Sequence, residues 1–118
     1  MMHKEESRAE FGLIRIHNNV IASVSSIAAC EIEGVKGIGK NLKAGILGLL
    51  DRTNHPSIMV GRDKNAELTV QIPLIVKYGF NIPEVAARVQ ANVRQALDKM
   101  TGLNIKDINI DIQKIEKE

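Results

Sequence analysis

The segment Gly34-Val35-Lys36-Gly37-Ile38-Gly39-Lys40-Asn41 comes nearest, in residue types and spacing, to a known chemistry. The interval from Gly34 to Gly39-Lys40 is that of a P-loop, where glycine amides cradle phosphates and the lysine reaches the outer ones. The position for a Mg²⁺-binding hydroxyl is held by Asn41, however. The segment also follows a predicted helix rather than a buried strand, and no downstream apolar strand ends in a metal-binding Asp. Nucleotide hydrolysis is therefore not expected. Gly34-Val35-Lys36-Gly37 also has the Gly-x-x-Gly spacing that clamps single-stranded nucleic acid in one class of modules. A lysine inside such a loop suits a phosphate backbone, but no good second helix follows. Lys36, Lys40 and Lys43 on the Gly-rich loop 34–43 keep nucleic-acid binding as the alternative function.

The other reactive side chains do not assemble into a site. His3, His17 and His55 fall on the tail, a strand end and a turn, with no metal-ligand spacing. Cys30 lies near the apolar edge of the first predicted helix and reads as a small buried hydrophobe rather than a nucleophile. Ser23, Ser25 and Ser26 have no base beside them. Glu31 and Glu33 sit at a helix end, where solvated carboxylates are ordinary. No enzyme activity, metal or cofactor is expected. Ile46, Leu47, Leu49 and Leu50 form a glycine-bounded apolar group, the best candidate for contact with a partner.

The chain has 118 residues, 44% of them apolar, enough for one domain with its own core. Phe11, Tyr78 and Phe80 are the only aromatics, too few for a base-stacking platform. A single cysteine gives no disulfide framework. The first residues have no apolar core of a signal peptide, and no apolar run reaches the roughly 18 to 20 residues that span a bilayer. A cytoplasmic protein without direct membrane insertion is the expectation. The net charge of +2 is uneven. Six cations (Lys36, Lys40, Lys43, Arg52, Arg62, Lys64) and two anions (Asp51, Asp63) make the middle basic. An acidic partner is one explanation and a solvated loop the plainer one.

These residues must be positioned by a small set of elements. Residues 1–10 read as a disordered tail and 11–115 as a single domain. Phe11 to His17 reads as a strand. Val20, Ile21, Val24, Ile27 and Ala28 recur at helical spacing, with Asn18 or Asn19 as cap and Gly34 as stop. The glycines between Val35 and Leu50 suggest a frayed helix or a hydrophobic loop. Ile58 to Val60 is a short strand, followed by a hairpin turn over Arg62 to Asn65. From Ala66 to Tyr78, Leu68, Val70, Ile72, Leu74 and Val76 alternate with Glu67, Thr69, Gln71 and Lys77. This predicts the longest strand, with one buried side. Pro73 on its outer face predicts an edge or a bulge there. Asn81-Ile82-Pro83-Glu84 opens a second helix with the stripe Val85, Val89, Val93 and Leu97, and Gly102 closes it. Ile108, Ile110 and Ile112 alternate in a last strand. Leu103 and Ile105 are out of phase with them, which predicts a bulge near Lys106-Asp107. The expected fold is a two-layer α/β (α+β) sandwich. Its mixed, mainly antiparallel sheet is covered on one face by two helices, close to a split βαβ arrangement.

Two stretches resemble the alkaline-shock family of bacterial cell-envelope stress proteins. One runs from Ile27 through Glu33-Gly34-Val35. The other runs from Lys77-Tyr78-Gly79-Phe80-Asn81-Ile82-Pro83-Glu84-Val85 through Gly102-Leu103. The resemblance implies a non-enzymatic cytoplasmic protein of mostly Gram-positive-type bacteria. It would act as a homo-oligomer or through a membrane-anchored family partner, which could hold it near the membrane. Glu33, Gly34, Val35, Tyr78, Gly79, Asn81, Ile82, Pro83 and Gly102 then read as structural signatures, not active-site residues.

Overall fold

The computed structural model describes residues 6–9, 12–39, 57–62, 64–65, 67–103 and 105–117. In chain order the elements are β1 (Glu6–Ala9), β2 (Gly12–Arg15), α1 (Asn18–Cys30), β3 (Val35–Ile38), β4 (Met59–Arg62), β5 (Leu68–Lys77), α2 (Ile82–Thr101) and β6 (Ile105–Glu116). The fold is α+β, with two helices on a mixed sheet, as the sequence leads one to expect. β1 and β2 pair antiparallel with each other in a sheet of their own. Glu6–Ala9 thus form a strand inside the stretch expected to be disordered.

β5 organises the main sheet. β6 runs parallel to it from Leu68 to Lys77, and the helix α2 is the crossover that a parallel pair requires. The other edge of β5 is shared. β4 pairs antiparallel with Leu68 to Gln71, and β3 pairs antiparallel with Leu74 to Val76. Of the turn expected over Arg62 to Asn65, Lys64 and Asn65 lie in the β4–β5 connection, whereas Arg62 belongs to β4.

Leu68, Val70, Ile72, Leu74 and Val76 are all fully buried. So are Val89, Val93 and Leu97 of α2, with Val85 nearly so, and Ile21 and Ala29 of α1. These residues form one core cluster. Burial of each large aliphatic side chain contributes roughly 1.5 to 3 kcal/mol. On the opposite face of β5, Gln71 is exposed and Thr69 half-buried, although Pro73 is buried.

Several local expectations change. The glycine-rich stretch from Val35 is strand β3, because backbone bonds to β5 hold it. Gly34 O accepts from Lys77 N at 2.8 Å, and Pro73 O accepts from Gly39 N at 2.8 Å. Pro73 is not at a sheet edge, since β5 is central. In a strand the N–H and C=O of one residue point to the same side, so the donor that proline lacks falls on the β3/β4 side, opposite Gly39 just past the end of β3. Asn18 is the first residue of α1 rather than its cap, and the N-cap His17 makes no side-chain capping bond. β6, at 12 residues, is longer than the 10-residue β5. The bulge near Lys106 is present: Leu68 pairs with Ile105 but Thr69 with Asp107. A second lies where Leu74 pairs with Ile112 and Ile75 with Lys114.

A one-residue slip of β5 would reverse its buried and exposed sets. Ile72→Ala is therefore expected to destabilise the protein by about 2–5 kcal/mol, and Gln71→Ala by no more than about 0.5 kcal/mol. Urea denaturation followed by circular dichroism measures both.

Candidate functional site

The two stretches that stand out in the sequence meet at one end of the main sheet. Glu33 and Gly34 lead from α1 into β3. Tyr78, Gly79, Phe80 and Asn81 lead from β5 into α2. Val35 lies beside Val76. Gly34 has φ +99°, and a Cβ there would come within 2.9 Å of both Phe80 Cδ2 and Val85 Cγ2. Glycine is needed at Gly34 twice over, for its left-handed backbone and for the close approach of Phe80. Gly79 has φ +97° but open space around it.

The start of α2 follows its sequence. Asn81 is the N-cap, and its Oδ1 accepts from Glu84 N at 3.1 Å. Ile82 and Pro83 occupy the first turn, and Glu84 bonds Arg88 one turn on. The helix ends at Gly102, with φ +69° and its N–H bonded to Asp98 O.

A charged cluster borders the same junction. Lys36 Nζ lies 3.1 Å from Glu116 Oε1, and Lys114 Nζ 2.8 Å from Glu116 Oε2. Lys36 Nζ also donates to Lys117 O at 3.4 Å. Tyr78 N donates to Glu116 O at 2.9 Å, and Lys117 Nζ stands 5.4 Å from the centre of the Tyr78 ring. The hydrogen bonds from Lys114 and then Lys36 hold the Glu116 carboxyl below its usual pKa, and the bond to Glu116 raises that of Lys114. Lys36, a candidate for nucleic-acid or partner contact, is thus engaged within the chain. Gly34-Val35-Lys36-Gly37 is not a loop between two helices, because Val35–Ile38 is strand. Lys40, Lys43, Ile46, Leu47, Leu49 and Leu50 lie outside the described residues.

Cys30 differs from expectation. It is exposed at the end of α1 rather than buried, and partial desolvation of its thiol raises its pKa. Among the described residues no group of three or more His, Cys, Asp and Glu side chains is placed to hold a metal. An open hollow of about 450 Å³ lies between α2 and the start of β6, lined by Ala91, Arg94, Gln95, Asp98, Leu103 and Ile105. None of the sequence candidates lines it, and it holds no pairing of nucleophile and base.

Three polar residues of α2 make tertiary bonds that the sequence pattern does not announce. Asn92 Nδ2 donates to Ala28 O at 2.7 Å and Glu31 Oε1 at 3.0 Å, tying α2 to the end of α1. Gln90 donates to Ile108 O at 2.9 Å, and Arg94 to Ile105 O and Lys106 O. Asn92 could have been suspected, since asparagine is a poor interior helix residue unless its amide has a task.

Gly34→Ala combines backbone strain with overpacking and is expected to destabilise by about 2–4 kcal/mol, whereas Gly79→Ala meets strain alone, at about 1 kcal/mol. Thermal unfolding of the two variants checks the difference. The Glu116 carboxyl, held down by its lysines, is expected to titrate at lower pH than an ordinary glutamate. Its contribution to stability is present at neutral pH and fades as pH falls through the lowered pKa. Carbon-detected NMR should show Lys36→Met moving that titration upward.

The family model of the alkaline-shock proteins, described as of cell envelope-related function, matches residues 6–117. The chain is similar to the uncharacterized protein YqhY of Bacillus subtilis, 32% identical over 116 residues, covering 98% of this chain and 86% of that one. It is 34% identical over 110 residues to the uncharacterized protein YloU of the same organism, covering 92% of each. Among solved structures, a copper form of the MamM CTD has a TM-score of 0.54 at 16% identity, covering 85% of this chain and all of that one. A nickel form has a TM-score of 0.52 at 15% identity, covering 82% and 98%. At such identity the likeness is one of fold.

Proposed function

The chain belongs to the alkaline-shock protein family, and on that premise we propose that it acts without catalysis, as a scaffold or adaptor in the bacterial cell-envelope (alkaline) stress response. It works by self-association and by binding a protein partner, such as a membrane-anchored member of its own family, which holds it at the cytoplasmic side of the membrane. Among the described residues no helix is long and apolar enough to cross a membrane; in this reading the attachment runs through the partner.

The supporting observation is the outer surface of α1. That helix, Asn18–Cys30, contains no charged residue. Val20 is 44% exposed and Ile27 64% exposed, with Val24 partly buried between them. Their spacing of four and three residues lays an aliphatic stripe along the helix beside its buried face. A solvated helix face ordinarily carries charge, and an uncharged one exposing aliphatic side chains fits protein contact. The apolar group Ile46 to Leu50 is proposed as a second contact. The nucleic-acid reading has less support, since Lys36 is engaged by Glu116 and the Lys117 carbonyl.

Fractionation of the native host with cross-linking tests the reading. The chain is expected in the envelope fraction, cross-linked to a membrane-anchored protein. Ile27→Lys should reduce that product roughly tenfold or more, the scale of one interface anchor, with an unchanged circular dichroism spectrum. The Leu47→Asp, Leu50→Asp double variant should act in the same direction. A wild-type chain found only in the soluble fraction, or a purified chain that turns over a substrate, would overturn the proposal.

A further inference from the structure

Strand β6 is nearly palindromic in residue class. From Ile105 to Ile115 it reads Ile-Lys-Asp-Ile-Asn-Ile-Asp-Ile-Gln-Lys-Ile. About Ile110 as centre, isoleucine mirrors isoleucine at 108/112 and Asn109 mirrors Asp111. With Lys106 and Gln113 as the extra residues of the two bulges, Asp107 then comes to mirror Lys114 and Ile105 to mirror Ile115. A two-fold antiparallel strand pair suits such a sequence, because residue i faces j in the same way that j faces i. We infer that β6 pairs with the β6 of a second copy of this chain, with the two-fold axis at Ile110. The inference rests on the reading above that the protein acts through contacts, and it names one of them.

The geometry supports this occupant in three ways. First, the edge is available. Among the described residues β6 pairs only with β5. The carbonyls of Lys106 and Ile108 lie two residues apart, so they share one edge of the strand, and both accept from α2 side chains. That edge is therefore the one turned away from β5, and Ile110 and Ile112 present their N–H and C=O groups on it.

Second, the apolar face is half covered. Ile105 and Ile108 are 3% and 4% exposed, Ile110 and Ile112 are half-buried, and Ile115 is 47% exposed. A two-fold axis at Ile110 sets the covered half of each strand beside the uncovered half of the other. Ile112 then lies opposite the second copy's Ile108, and Ile115 beside that copy's Ile105, next to its α2.

Third, the charges complement one another. Asp107 and Lys114 both lie on the helix-free face, beside Thr69 and Ile75. The two bulges offset each other across the axis, so Asp107 of each copy comes opposite Lys114 of the other. Opposite charges facing across strands favour this register, with Lys114 shared between Asp107 of the other copy and its own Glu116. Gln90 and Arg94 mark its limits: with the Ile105, Lys106 and Ile108 carbonyls already accepting, the ladder uses the Ile108 N–H and the N–H and C=O groups of Ile110 and Ile112.

Cysteine cross-linking of the full chain tests the axis, with Cys30→Ser as background. Ile110→Cys places a cysteine opposite itself, with Cα atoms of a hydrogen-bonded pair about 5.5 Å apart, within disulfide reach. Mild oxidation should give a disulfide dimer at least roughly tenfold faster than for Asn109→Cys, whose mirror position is Asp111. Analytical ultracentrifugation supplies a second readout. Asp107→Lys and Lys114→Asp should each weaken the dimer, and the double exchange should restore it. A monomer at every concentration, equal cross-linking at both cysteine positions, or no rescue by the exchange would each overturn the inference. Should β6 fail these tests while Ile27→Lys still releases the envelope partner, only the self-pairing falls. Should the dimer form without envelope attachment, only the adaptor role falls.

Discussion

Strand β5 is under three demands at once. Its alternate side chains fill the core beneath both helices, one edge pairs in parallel with β6, and the other is divided between β4 and β3. Much of the molecule follows from that. A parallel neighbour must return along the length of β5, which at about 3.3 Å per residue is about 33 Å. The 20 residues of α2, at about 1.5 Å each, cover about 30 Å and make that return. The divided edge passes from β4 to β3 at Pro73, whose carbonyl accepts from Gly39 N while its missing N–H falls just past the end of β3. A proline in a central strand is tolerated where regular pairing is interrupted.

The parts of this fold that were legible in the sequence are those set by periodicity and local chemistry. Leu68 to Val76 alternate without interruption, so the buried face of β5 is unambiguous. Asn81, Pro83 and Gly102 mark the limits of α2 by their own capping and backbone preferences. Ile105 and Ile108, three apart, can share a face only if a residue is inserted, and the bulge at Lys106 supplies it. Alternation names the face of a strand but not its neighbour, so the parallel β5–β6 pairing is not written in it. β3 is illegible for a related reason. Its glycines lower strand propensity, and only bonds from Gly34 and Gly39 to the distant β5 offset this. The strand Glu6–Ala9 likewise hid in a polar, charged run.

The candidate site shows the same division. Gly34 and the Tyr78-to-Val85 stretch stand out separately as strings. Their convergence, with Phe80 over the space a Cβ would fill, depends on the antiparallel placement of β3 on β5. Asn92 on a helix surface looks solvent-facing until the end of α1 is brought to it. Lys36 illustrates the opposite error: in a sequence it is a cation in a glycine-rich loop, but its partner Glu116 lies eighty residues away and removes it from the set of open charges. A charge run gives composition, and only the fold decides which charges are already satisfied.

The α1 stripe and the β6 edge lie toward opposite edges of the main sheet. α1 packs against α2, β3 and β4, whereas β6 occupies the other edge of β5. Self-pairing through β6 therefore leaves the Val20–Ile27 stripe uncovered, and a two-fold dimer presents two such stripes. When the partner is confined to a membrane, engaging one stripe raises the local concentration of partner around the second. Bivalent attachment can then exceed the affinity of either contact by orders of magnitude without any new contact being made. Weak individual surfaces suit this arrangement. An uncharged stripe of three aliphatic residues is small for a stable one-to-one complex; in the proposed dimer two stripes would act together at a surface, and separating the strands would release them without masking either one. The edge devices on β6 fit such reversibility. Arg94 and Gln90 cover its first carbonyls, and the bulge and charges after Ile112 end it. What remains is a short ladder, long enough to set a register and too short to propagate along the edge.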